Sequence, residues 1–291
     1  MKNLRLLLLF LIFINCNKKE SNSVSNISKS SQIKETSEVK NLINKNGLTI
    51  KDRFFPPENF KLNTEKEGSF GAFIENFKLK PYGSKILKYD GAPISTQNLH
   101  EAIFDIDTGT KDLQQCADAV IRLRAEYLYK TKQFNDIKFH FTNGDLMTWN
   151  DYKNGARAFV NGNKVSFKTT EKFDDSYQNF RKYLDLIFNY AGTISLNKET
   201  FPVLKTSSLK TGDILITAGS PGHVVFIAAV AENDKKEKLF LLGEGYTPAQ
   251  SIHIVKNSFQ PEISPWYKLD TKNTETETAR YLFKPTNFRS F

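Results

Sequence analysis

The stretch Pro221-Gly222-His223-Val224-Val225-Phe226-Ile227 reads as a β-strand opened by a histidine. Branched and aromatic side chains fit a pleated surface, and Pro-Gly bounds the run. Ile214 to Ile216 lies before it, and Leu239 to Leu242 and Ile252 to Val255 follow as further short apolar runs. Upstream, Asp112 to Lys130 predicts a helix: Asp112 and Gln115 stand in a capping-box relation. Cys116, Ala119, Val120, Leu123 and Tyr127 then share one face. Asp174 to Tyr190 is a second amphipathic helix and Gly68 to Phe77 a short one. Pro81 to Gly91 is extended or turning, and Ile137 to Phe141 is a strand. Phe159-Val160 and Val165-Ser166-Phe167 flank Asn161-Gly162-Asn163, which predicts a hairpin. Helices come first and strands later, which points to an α+β fold rather than a doubly wound sheet.

The 291 residues, 39% of them hydrophobic, suffice for one large domain or two small ones. Lys2 and Arg5 precede an apolar run from Leu6 to Ile14, far short of the roughly 20 residues of a membrane span. It reads as a secretory h-region. Phe13-Ile14-Asn15-Cys16 resembles a loose bacterial lipobox, with Leu more usual at the first position and a small residue at the third. The expected organisation is a lipoprotein signal peptide over 1–15, a lipidated flexible tether over 16–47, and a single α+β domain over 48–291. The tether is rich in Ser, Asn, Lys and Glu and poor in aromatics. The expected location is the bacterial cell envelope, anchored to the membrane through Cys16. The net charge of +9 favours acidic partners. Nucleic acid is not expected, because no compact Lys/Arg cluster carries interleaved aromatics.

The chain has two cysteines. With Cys16 consumed by lipid, Cys116 is left unpaired where disulfides are favoured, and an odd thiol is a candidate nucleophile. Near a helix N-terminus, unpaired N–H groups favour a thiolate and can bind an oxyanion; the competing reading is a packed core cysteine. His223, at a strand's edge, can reach a helix packed across the sheet. Asp213, after Gly212, is placed to fix a turn. Glu244, ending the next strand, could orient the imidazole as a third member does, or stand exposed at a turn; Gln250 competes for that role. Asp107-Thr108-Gly109 is the aspartic-protease tripeptide, but the sequence has one copy where two facing carboxylates are needed. The turn is expected to deliver the chain into the Cys116 helix. His100, His140, His223 and His253 are scattered without metal-ligand spacing, so no metal or cofactor is expected. Gly243 to Gly245 lacks the helix and lysine of a phosphate loop. Arg122 and Arg124, on one helix with Glu126, read as a solvated ion-pair face.

Gln115-Cys116 before a helix, then Gly212-Asp213, Gly222-His223 and Glu244 in that order, resembles the CHAP and NlpC/P60 amidases of papain-like fold. Many CHAP domains carry Gln directly before the nucleophile, as Gln115 stands here. A longer likeness spans about residues 50 to 291. It rests on Pro81-Tyr82-Gly83-Ser84, DLQQCADAVIRLRAEYLY from Asp112, YAGTISL from Tyr190, PGHVVFIAAVAE from Pro221 and TPAQSIHIVKN from Thr247. These are similar to an uncharacterised bacterial family, domain of unknown function 4846, which brings no activity and often has glutamine where Glu244 stands. The resemblances imply a papain-like α+β domain, with the site helix packed on an antiparallel sheet. They further imply an exported cysteine amidase or peptidase acting on cell-wall peptide. Cys116 would be the nucleophile, His223 the base and acid, Glu244 the orienting residue. The Cys116 N–H and the Gln115 side chain would form the oxyanion hole. The alternative is a non-catalytic envelope lipoprotein that binds peptide, glycan or a partner protein.

Overall fold

The chain enters its body earlier than the composition suggested. The computed structural model describes residues 41–291, so the expected signal peptide, Cys16 and most of the expected tether lie outside the described residues. Residues 41–47, assigned to the tether by composition, are docked: Ile43 bridges Phe54, and the Asn44 N–H bonds the Arg53 carbonyl at 2.8 Å. The cause is Arg53, buried and in need of acceptors. Its Nε donates to the Gly47 carbonyl at 2.8 Å. Gly47 itself runs against the Asp52 backbone, where a Cβ would come to 2.5 Å.

The helices are α1 (Ile50–Arg53), α2 (Phe70–Glu75), α3 (Cys116–Lys130), α4 (Trp149–Lys153), α5 (Tyr177–Tyr190) and α6 (Thr193–Glu199). The strands are β1 (Phe60–Leu62), β2 (His100–Ile103), β3 (Lys138–His140), β4 (Leu146–Thr148), β5 (Ala156–Asn161), β6 (Lys164–Thr169), β7 (Phe201–Pro202), β8 (Ile214–Thr217), β9 (His223–Asn233), β10 (Lys238–Glu244), β11 (His253–Val255), β12 (Trp266–Tyr267), β13 (Thr276–Glu277), β14 (Leu282–Phe283) and β15 (Phe288–Ser290). Among the described residues one large antiparallel sheet runs β2-β11-β10-β9-β8-β15-β7, with β1 added to β9 and β12 to β10. This is a mixed α+β fold. The Asn161-Gly162-Asn163 signal forms the β5–β6 hairpin, with Asn161 opposite Lys164 and Gly162 at φ +58°.

Central strand β9 is buried on both faces, which explains its unbroken apolar run. Val224 and Phe226 face the helices, while Val225 and Ile227 face a second cluster with Leu215, Leu242, Phe283 and Phe288. The alternation breaks at Ala228, because Leu241 pairs with Ala229 and Leu242 with Ile227. That extra residue is a β-bulge, and it returns Ala229 to the helix face.

Two local readings change. The site helix starts at Cys116, not near Asp112. Asp112 Oδ1 is drawn away, accepting the Ala249 N–H at 2.7 Å and Gln115 Nε2 at 3.1 Å. Gln115 is the N-cap, and its own N–H donates to Asp118 Oδ2 at 3.1 Å. Arg122 and Arg124 do not form a solvated face. Arg122 is 1% exposed and bonds Asp107 at 2.9 Å, Glu126 at 2.7 Å and Gln114 Oε1 at 2.9 Å. Arg124 lies over the rings of Phe70, Tyr127 and Phe291. The Asp-Thr-Gly turn is likewise structural: Asp107 also pairs with Arg181 at 2.9 Å and so ties the segment before α3 to α5.

Candidate active site

Three chain segments converge at one end of the sheet. Cys116 is the first residue of α3, unpaired and half-buried. Its N–H, at the first helical position, has no intrahelical acceptor. His223 is the first residue of β9 and Glu244 the last of β10. Two glycines permit the approach. A Cβ on Gly245 would meet the Ala119 Cβ at 2.7 Å and the Gln115 carbonyl at 3.0 Å, so α3 can rest on the end of β10 only over a glycine. A Cβ on Gly222 would meet the Gly219 carbonyl and Thr193 Oγ1, each at 2.5 Å. His223 therefore follows a turn with no room for a side chain.

His223 is 3% exposed and donates from Nε2 to Glu244 Oε2 at 2.8 Å. The Cys116 thiol lies close enough to the same imidazole to act on its protonation. With Nε2 engaged by Glu244, Nδ1 is the nitrogen left for sulfur. Burial works against charge on His223, but the Cys116 thiol and the bond to Glu244 outweigh it and raise its pKa to about 9. Burial opposes ionisation of Glu244 too, yet its bonds to His223 and His253 hold it down to about 2. Asp118, two positions beyond Cys116, is pushed well above the carboxylate range by burial, against the pull of the Gln115 N–H and its own. Burial thus disfavours a negative charge there, next to the sulfur. The His223 ring is walled by Tyr246, Tyr281 and Phe283, with centroids at 5.2, 5.3 and 6.0 Å.

Residues 50–290 match the model of a family described as a domain of unknown function (4846). The chain belongs to that family. No curated protein and no solved structure matches it. Membership in DUF4846 names no chemistry, so the reading of this site rests on its geometry.

The structure brings Cys116, His223 and Glu244 together from positions far apart in sequence. Gln115 is adjacent, and one hydrogen of its amide is given to Asp112. Gln250, the competing orienter, bonds the Pro248 carbonyl at 3.2 Å instead. Asp213 serves the turn, accepting the Lys210 N–H at 3.0 Å and its ammonium at 2.6 Å. Among the described residues no group of three His, Cys, Asp or Glu side chains is arranged to hold a metal ion. Sequence reading missed His253 and Arg280, which approach Glu244 Oε1 at 3.2 and 3.5 Å. For His253 a signal existed. A histidine between Ile252 and Ile254 must find a polar partner, and pairing β10 with β11 sets it opposite Glu244.

Proposed function

We propose that this protein is an exported cysteine amidase or peptidase of papain-like architecture, acting on cell-wall peptide. The observation that carries the chemistry is the placement of the Cys116 thiol beside His223, whose Nε2 bonds Glu244 Oε2 at 2.8 Å. Cell-wall peptide as substrate and attachment through Cys16 rest on the lipobox-like leader and on the resemblance to wall amidases.

In the first step, Cys116 Sγ attacks the carbonyl carbon of the scissile amide as His223 takes its proton. The tetrahedral oxyanion is met by the Cys116 N–H, with the remaining hydrogen of the Gln115 amide as second donor. His223 then gives its proton to the departing nitrogen, the C–N bond breaks, and a thioester remains on Cys116. Water adds to the thioester while His223 takes its proton. Collapse releases the carboxylic acid and restores the thiol–imidazole pair. Glu244 keeps the ring aimed throughout.

The test is digestion of purified wall fragments by wild type and Cys116→Ala, read by mass spectrometry. New cleavage products with wild type alone support the reading. Equal product patterns overturn it and leave the non-catalytic binding role.

A further inference from the structure

We infer that His253 is a positioning residue, holding the oxygen of Glu244 that His223 leaves unused and so fixing the carboxylate that aims His223. This rests on the reading of Cys116, His223 and Glu244 as one reactive set. Glu244 is 1% exposed and has two oxygens to satisfy. Oε2 is taken by His223 at 2.8 Å, and Oε1 faces His253 Nε2 at 3.2 Å. His253 is itself fully buried, with Nδ1 at 2.8 Å from the Ser251 carbonyl.

Proton inventory gives this contact its meaning. A carbonyl only accepts, so His253 Nδ1 carries a hydrogen. Its Nε2 then faces a carboxylate oxygen, and two bare lone-pair atoms would repel. A hydrogen on Nε2 makes that 3.2 Å contact a hydrogen bond, and Glu244 is then clamped on each side. The other groups around the clamp offer no equal substitute. Arg280 Nη1 stands 3.5 Å from Oε1, buried without a hydrogen-bond partner, its guanidinium over the Tyr246 ring at 4.5 Å. Tyr267 on β12 spends its hydroxyl hydrogen on the Lys256 carbonyl at 2.8 Å. His100 on β2 packs edge-on against His253 at 6.1 Å and bonds the Ser84 carbonyl through Nε2. Without His253, Oε1 would turn toward Arg280 and draw Oε2 from His223.

The experiment compares full-length wild type, His253→Gln and His253→Asn. Glutamine returns an N–H near the position of Nε2; asparagine is too short and reaches only the position of Nδ1. Two quantities are read: the rate of Cys116 alkylation by iodoacetamide, followed by peptide mass, and the His223 titration midpoint by ring ¹⁵N NMR. Glutamine is expected to hold both near wild type. Asparagine is expected to slow alkylation at neutral pH about tenfold to a hundredfold, the cost of a displaced base, and to lower the His223 midpoint by about one unit. Equal values for the two variants would overturn the inference, since a merely structural role does not distinguish the two nitrogen positions. Wild-type alkylation no faster than a free thiol, and unaltered in His223→Gln, would remove the reactive set and the inference together. Fast wild-type alkylation with equal variants would remove the His253 role alone.

Discussion

At the residue scale, the site reduces to a few protons whose positions have measurable consequences. His223 titrates near 9 in the fold against 6.5 in the unfolded chain. Its contribution to stability is therefore complete below about pH 6.5 and is lost as pH rises through about 9. Glu244 lies near 2 against 4.5, so its contribution is complete above about pH 4.5 and is lost as pH falls toward 2. Thermal denaturation across pH is expected to show stability falling between about pH 6.5 and 9, and His223→Gln should flatten that fall. Glu75 adds an earlier decline. Burial, with Glu65 nearby, raises it to about 7 against the Thr211 hydrogen bond and Lys51. Protonated in the fold and ionised in the unfolded chain, it weakens stability between about pH 4.5 and 7. Glu75→Gln is expected to raise the melting temperature above pH 7 and leave it unchanged near pH 4. Cys116 and His223 were legible in the sequence because their types and local signals are distinctive. The fate of Arg122 was not: its neighbour Glu126 suggested an exposed i,i+4 pair, while its partners Asp107 and Gln114 lie outside the helix.

At the scale of elements, a single helix–strand junction aligns the site. Helix α3 rests on Gly245, at the end of β10, and is fixed upstream by the Arg122–Asp107 pair. Gly245→Val is expected to cost about 1–3 kcal/mol, the range for overpacking a close contact. It should also slow Cys116 alkylation, because the helix must lift from the strand that carries Glu244. Urea denaturation and alkylation on the same preparation check both. Strand identities were readable because β8 to β11 are short apolar runs with turn residues between them. The bulge at Ala228 was hidden, because Ala228 and Ala229 are both small and apolar and the sequence alone does not mark which is the extra residue. The start of α3 was displaced for a similar reason. Asp112 has the composition of a cap, but the Ala249 N–H, far away in sequence, claims its carboxylate.

At the scale of the molecule, the body extends to residue 41, where composition drew the boundary at 48. Leu42 and Ile43 pack on the core, and Gly47 supplies the acceptor for Arg53. A chain beginning at residue 48 is expected to be less stable than one beginning at 41 by about 1–3 kcal/mol, the penalty for an unsatisfied buried polar group, as comparison of their urea midpoints would reveal. Polar composition marks a segment as poor in core formers, but it does not show that one buried guanidinium elsewhere needs its backbone. Strand signals late in the chain were legible, while the antiparallel sheet was expected only from the resemblance; its order, with β2 joining at one edge and β15 near the other, depends on contacts that no local pattern encodes.

The solitary sulfur carries a chemical liability. Cys116 is half-exposed beside His223, and the chain's one other cysteine, Cys16, lies far from it in sequence. With no resolving thiol in the body, peroxide has no disulfide to stop at there. Exposure is expected to add about 16 and then about 32 mass units at this residue, the second step being irreversible. Material handled in air would then lose the Cys116 thiol, so a reducing buffer belongs in every assay of this protein.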